Sequence, residues 1–370
     1  MSADWLERCL GGYFQLLGLR CSYSSRRVGR LLSSLYLVLV IVDLLVQMRN
    51  YGNGEEPMVD RALFFPKAIQ AVNMFYKLVH ALIALFALLG CQRERRLLQK
   101  LPPTHATAAI YRLVALELLM VVYALTICFS DALSSGQILE NLRYVFSSQG
   151  VRARYLQMFL LVGRLQAQLE QLQRQLIACS PDDYQQLRSS YAHLAQLCRS
   201  LSQLYGPSLL LLNVLVLGDF LIGCNVYFMV EHMEAAPATW MVFWQAVYIV
   251  VPTLVKIWTV CAACDRFVAG SKILRQQLSE RRGSTSQERC QIEEFALQIM
   301  QDALQFNVCG IYHLNLQTLA AVGHATGTNK RHSNELLSSL SRVSSRLSLQ
   351  MFFFILEVLV IFLQFVSLIH

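Results

Sequence analysis

The chain has 370 residues, 55% of them hydrophobic and 15% charged, with mean hydropathy +0.41 and a formal net charge of +8. That is more apolar side chain than an aqueous globule of this size buries, which makes the bilayer its solvent and excludes a soluble enzyme. Unbroken runs such as LYLVLVIVDLLV lack the period-two alternation of barrel strands and leave helices, whose backbone groups are satisfied within the segment.

Residues 1–30 contain no short apolar stretch followed by a small-residue cleavage site and read as a cytoplasmic N-terminus, with the first spanning helix as the insertion signal. Windows of roughly 20 residues, enough to cross ~30 Å of hydrocarbon, run from Leu31 to Met48, Ala68 to Gly90, Ala108 to Phe129, Leu209 to Val230, Thr239 to Val260 and Met351 to Ile369. Around VRARYLQMFLLVGRLQAQLEQL a further apolar core is short, and Arg164 interrupts it. Charge parity decides that case, because cytoplasmic flanks hold the excess of Lys and Arg. Counting it as a span puts 23 Lys and Arg on the N-terminal side against 4 opposite; omitting it gives 9 against 20. The expectation is an all-α membrane protein of seven transmembrane helices, N-terminus cytoplasmic and C-terminus external, with helices one to six within 31–262. The positive charge then faces anionic cytoplasmic lipid. No basic run is interleaved with aromatics, so nucleic acid is not an expected partner.

The outer loops are expected at RNYGNGEEPMVDRALFFPK, around DALSSGQILENLRYVFSSQG, and at EHMEAAP. On the inner side, apolar residues recur at helical spacing on both sides of Ser180-Pro181-Asp182-Asp183, where a Ser cap and a Pro mark a new helix. Two helices therefore project below the membrane over about 164–205. SQERCQIEEFALQIMQDALQFNVCG predicts a third amphipathic helix, ending near Gly310, and residues 263–321 form a cytoplasmic anchor region. The Ser-rich, basic stretch 322–350 reads as a disordered linker, or as a segment wrongly carried into the coding sequence.

None of the 11 cysteines falls in the outer loops, so a disulfide framework is not expected. Cys261 and Cys264 have metal-like spacing without a second pair, which favours packing or acylation over a metal. No phosphate loop, Ser-His-Asp order or paired acid occurs, so catalytic residues and cofactors are not expected.

Ionisable groups within the windows are Asp43, Lys77, His80, Glu117, Asp219, Lys256 and Glu357, each costly in hydrocarbon unless it faces protein or water. Lys256 lies near a cytoplasmic helix end and is expected to snorkel, whereas Asp43 and Asp219 are expected to be satisfied within the bundle. Asn73, Lys77 and His80 line one face of the second helix, and Asn73 and Lys77 are candidates for ligand contact. Tyr123, Tyr155, Tyr227, Trp244 and Tyr248 are among the aromatics assigned to the outer halves of the helices, where they could wall a pocket for a small organic ligand.

Three stretches carry a resemblance: YAHLAQLCRSLSQLYGPSLLLLNVLVL, IEEFALQIMQDALQFNVCGIYHLNLQTL and the terminal LEVLVIFLQF. Together they resemble the insect gustatory receptor family, which shares its fold with the insect odorant receptors. Family members end in Thr-Tyr, five apolar residues and Gln-Phe. Gln364-Phe365 and Leu359 to Leu363 match that pattern, while Glu357-Val358 stand in place of Thr-Tyr. From Asn315 to Gln364 the chain runs 49 residues, longer than the family's usual spacing.

The resemblance implies a ligand-gated, non-selective cation channel in the plasma membrane of a sensory-neuron dendrite. It implies a homo- or heterotetramer with other gustatory receptor subunits, opened by a small-molecule tastant and embedded in the lipid bilayer. The last helix, 351–370, would line the pore with Gln364, Glu357, Phe365, Val360 and Ile361. Leu359 stands where sugar-sensing members carry an acid, which favours a non-sugar, bitter-like tastant. A seven-helix G-protein-coupled receptor would need the N-terminus outside, and neither DRY nor NPxxY is present. A transporter would show inverted repeats or broken helices.

Overall fold

Apolar windows bounded by polar, Gly and Pro residues become helices much longer than a bilayer requires. The computed structural model describes residues 3–17, 19, 26–52, 66–101, 110–111, 114–115, 117–122, 135–178, 183–232, 237–281 and 285–316; in several stretches, 66–73, 216–232 and 237–252 among them, it describes backbone alone. The helices are α1 (Ala3–Leu16), α2 (Arg26–Gly52), α3 (Pro66–Lys100), α4 (Ser135–Ala178), α5 (Tyr184–His232), α6 (Pro237–Ser279) and α7 (Ser286–Gln301). A further helical stretch lies within 110–122. The two-stranded hairpin β1 (Asn307–Val308) and β2 (Tyr312–His313) follows α7.

Helix α1 is amphipathic: Leu10, Phe14 and Leu17, at i, i+4 and i+7, are buried, and so is Leu19 just beyond. The 1–30 region therefore contains a docked helix. On α2 the arrangement is reversed, with Leu31, Leu35, Val38, Leu39, Val42 and Leu45 all exposed and, among the described side chains, Val40 and Leu44 buried. Such a face suits lipid and not water. Helix α3 packs Tyr76, Val79, His80, Ile83, Ala87, Cys91 and Glu94 inward at helical spacing. Among the described residues its Met74–Lys100 segment, mean hydropathy 1.9, is long and apolar enough to cross a membrane, and Ser34–Val46 is a shorter apolar stretch.

Helix α4 corrects the sequence reading. Residues 135–150, expected within an outer loop, are its first turns, and the helix runs 44 residues to Ala178. Every residue from Val151 to Phe159 is buried, including Arg152 and Arg154. This segment is surrounded by protein on all sides, so it needs no lipid-compatible run, and its arginines are interior groups. Gly150 lets the His80 ring lie against the α4 backbone, because a Cβ there would collide with the imidazole.

The break between α4 and α5 falls where the sequence placed it, although 179–182, with the expected cap, lies outside the described residues. Helices α4, α5 and α6 have 44, 49 and 43 residues. At 1.5 Å per residue they run roughly 65–75 Å, about twice a hydrocarbon core. Helix α6 continues unbroken through 263–279, the first part of the expected anchor region.

Beyond the windows, Leu165, Leu169, Leu172 and Leu176 of α4 repeat at three-and-four spacing, as do Leu187, Tyr191, Leu194, Cys198 and Leu201 of α5. Phe267, Leu274 and Leu278 of α6 and Ile292, Phe295 and Ile299 of α7 complete this core. The Tyr191 and Phe295 rings meet edge-on with centroids 5.9 Å apart, and Gln173 Nε2 donates to the Gly270 carbonyl at 2.8 Å. Polar ties close the outside: Arg188 to Glu294, Arg199 to Asp302, and Arg281 Nη2 to the Ile177 carbonyl at 2.8 Å.

Helix α7 starts as expected, with Thr285 Oγ1 accepting from the Glu288 N–H at 3.1 Å. It ends at Gln301, nine residues before Gly310, a second correction. Gly310 instead belongs to the hairpin turn, where Cys309 (φ 53°) and Gly310 (φ 75°) both occupy the left-handed region that a tight hairpin turn requires. The register pairs Asn307 with His313 and Val308 with Tyr312. The expected linker 322–350 and final helix 351–370 lie outside the described residues.

Candidate functional site

The interior of the helices holds more charge than a structural core requires, organised around α4. Asp43 of α2 and Lys77 of α3 pair at 2.6 Å, satisfying Asp43 within the bundle as expected. One turn along α3, His80 stacks against Tyr36 at 5.5 Å between centroids, and Tyr36 in turn meets Phe146 edge-on at 5.2 Å. The Tyr36 hydroxyl lies 3.3 Å from His80 Nε2, and His80 also hydrogen-bonds the backbone of Leu17.

A second group joins α1, the 110–122 stretch, α4 and α6. Lys256 of α6 does not snorkel; it is buried and paired with Glu117, and α6 continues past it to Ser279. The Tyr13 hydroxyl donates to the other Glu117 oxygen at 2.5 Å, and Arg152 Nε donates to Thr253 Oγ1 at 3.0 Å.

A third group surrounds Arg154. Its guanidinium lies 3.9 Å over the Tyr205 ring, donates to Gln157 Oε1 at 2.6 Å and faces Glu94 at 3.8 Å. The Tyr205 hydroxyl donates to Glu94 at 3.0 Å, while Gln157 Nε2 donates to the Leu19 carbonyl at 3.0 Å. The stacked, hydrogen-bonded guanidinium is a geometry that lysine could not reproduce.

Beside this group, Tyr155 of α4 donates to Asn213 Oδ1 at 2.9 Å, and Asn213 Nδ2 donates to the Tyr312 hydroxyl in the hairpin. Burial pushes the Tyr312 phenol above its usual range, so it stays neutral. Nearby thiols are likewise held neutral: burial pushes Cys198 up to about 12 and raises Cys264 well above the usual thiol range. The low local dielectric strengthens such pairs and makes breaking them costly. The arrangement suits holding helices in register and transmitting movement. Among the described residues, no group of three or more His, Cys, Asp or Glu is placed to hold a metal ion.

Of the residues singled out for ligand contact, Lys77 is engaged by Asp43 and Tyr155 by Asn213, and the structure does not bring these two together. Tyr155 meets Asn213 near the middle of α5. Asn73, Tyr227, Trp244 and Tyr248 lie in α3, α5 and α6 with only their backbone described; Tyr123, Glu357, Val360, Ile361, Gln364 and Phe365 lie outside the described residues. Glu117 and Lys256 stood out as ionisable, but their pairing with each other carried no sequence signal. Asn213 and Tyr312 carried none either.

Residues 104–328 match the family model described as 7tm chemosensory receptor. The chain is 51% identical over 367 residues, 99% of each chain, to "Putative gustatory receptor 9a" of Drosophila melanogaster. Its fold is similar, with TM-score 0.62 and 12% identity, to the insect olfactory receptor OR5 of Machilis hrabei, covering 88% of this chain and 96% of that one. The same values hold for that receptor in complex with eugenol. On the strength of the family match and the full-length identity, the chain belongs to the insect gustatory receptor family, a family of helical membrane chemosensory receptors.

Proposed function

We propose that this chain is a subunit of a ligand-gated, non-selective cation channel of the plasma membrane, opened by a small, non-sugar tastant. It crosses the bilayer seven times, with the N-terminus cytoplasmic and the C-terminus external. Residues 351–370 line a central pore through Glu357, Val360, Ile361, Gln364 and Phe365, in a homo- or heterotetramer. Asn73, Lys77, Tyr123, Tyr155, Tyr227, Trp244 and Tyr248 are the ligand candidates. The dendrite of a sensory neuron is the expected site of action.

The observation that carries this reading is family membership across the whole chain. Two structural features support it. The exposed apolar stripe of α2 needs lipid. Helix α7, whose Ile292, Phe295 and Ile299 are packed, also exposes Leu297 and Met300, an apolar face suited to a neighbouring subunit.

The test is whole-cell recording from cells expressing this chain while caffeine, quinine and denatonium are applied. A cation current reversing near zero is expected, with Glu357→Gln reducing divalent permeation because a ring of carboxylates attracts cations. Absence of any current, alone or with partner subunits, would overturn the channel reading. An unchanged reversal potential in Glu357→Gln would remove Glu357 from the pore.

A further inference from the structure

The hairpin sits where several rigid elements converge. Its close approach to α5 occurs at Gly206, where an added Cβ would lie 3.2 Å from the Cys309 backbone nitrogen. On the α6 side, Phe306 stacks on Phe267 at 5.4 Å, and Asp265 accepts from the Leu316 N–H at 2.9 Å. The turn is held with a cysteine in the left-handed region, a strained conformation that the surrounding contacts must offset. In sequence, this hairpin is the last described element before the segment that runs to the final helix.

One side chain joins the hairpin to two helices at once. Asn213 of α5 accepts from Tyr155 of α4 and donates to Tyr312 of β2, so its amide is used in both directions. Twenty residues of α4 separate Ser135 from Tyr155, roughly 30 Å of continuous helix, long enough to carry a displacement from one face of a bilayer to the other. Tyr155 and Tyr312 do not hydrogen-bond each other in the structure; Asn213 bridges them. Replacing this residue uncouples two elements while leaving the apolar packing of both in place.

We infer that Asn213 is a positioning residue for channel opening: through Tyr155 and Tyr312 it fixes the 307–313 hairpin to α4 and α5, so that movement of these helices is passed to the chain leading to the final helix. This rests on the channel reading above. The hairpin must then move with α5 during opening, and a covalent tie between them must stand in for Asn213 when its bridge is removed.

The chain supplies half of that tie. A cysteine at position 206 would place its Cβ 3.4 Å from Cys309 Sγ, within reach of a disulfide after a shift of a few tenths of an ångström. Copper-phenanthroline with oxygen removes two electrons and two protons from the thiol pair as the S–S bond forms, and dithiothreitol reverses it. Currents evoked by caffeine, quinine and denatonium would be recorded for wild type, Asn213→Leu, Asn213→Leu with Gly206→Cys, and that pair with Cys309→Ser, each normalised to surface biotinylation.

Oxidation should raise the current of Asn213→Leu with Gly206→Cys by about tenfold or more, with loss on reduction, and should leave the same variant carrying Cys309→Ser unaltered. Asn213→Leu should keep its surface level and lose maximal current. A cross-link proved by mass spectrometry that leaves the current unaltered would overturn the inference, as would failure to cross-link or full current in Asn213→Leu. A wild type silent with every compound and partner would overturn the channel reading, and the inference with it.

Discussion

The Glu117–Lys256 pair offers the sharpest measure of how the interior is held. Both side chains are almost fully buried, 7% and 5% exposed, and Tyr13 provides Glu117 with a further hydrogen bond. Lys256→Met preserves much of the side-chain length and leaves the carboxylate desolvated with a single neutral donor. Breaking a buried pair in this way costs about 3–5 kcal/mol, whereas replacing both members with uncharged residues of similar volume is close to neutral. Lys256→Met and Glu117→Gln should therefore each lower thermal resistance sharply, and the double variant should recover most of the loss. Because unfolding of such a protein is irreversible, the readout is the fraction remaining monodisperse in mild detergent after a fixed heating step, measured by fluorescence-detected size exclusion. A double variant that loses as much as the two singles combined would show independent sites, for which additivity within about 0.3–0.5 kcal/mol is expected, and would refute the pairing.

Gly150→Ala should destabilise by about 1–3 kcal/mol through overpacking against His80, and Gly150→Ala with His80→Ala should recover part of it; the same heating assay decides, and an unaffected single variant would refute the close approach. Thiol labelling at pH 8 should separate Cys9 and Cys290, which are exposed, from Cys198 and Cys264, which are buried. For Cys198, pushed up to about 12, the thiolate fraction at that pH falls to about one in ten thousand and grows only as pH rises toward that value. Modification of Cys198 as fast as Cys290 in native protein would contradict the packed core.

What could be read beforehand follows from what surrounds each helix. Windows in α2 and α3 were plain because part of their surface faces lipid and must be apolar throughout. Helix α4 was obscure for the opposite reason: from Val151 to Phe159 it faces only protein, which tolerates Arg152 and Arg154 once Thr253, Gln157, Glu94 and Tyr205 receive them. The leucine spacing on either side of Ser180 announced the bundle, since that core is repetitive and apolar. The hairpin was hidden because strands of two residues carry no period, and Gly310 signalled a stop without specifying a turn. Individual charges were conspicuous in the sequence, but their partners lie on distant elements, and pairing is a property of the fold.

The docking of α1 has a consequence for biosynthesis. Tyr13 finds Glu117 across 104 residues, and the Leu19 carbonyl finds Gln157 across 138. The segment carrying Leu10, Phe14 and Leu17 thus leaves the ribosome long before the helices that receive it. It must remain unpaired with its apolar face uncovered, a state open to misassembly, until both later partners have been inserted. Its seating is therefore a late event in maturation, and one that reports that the 110–122 stretch and α4 have been placed correctly.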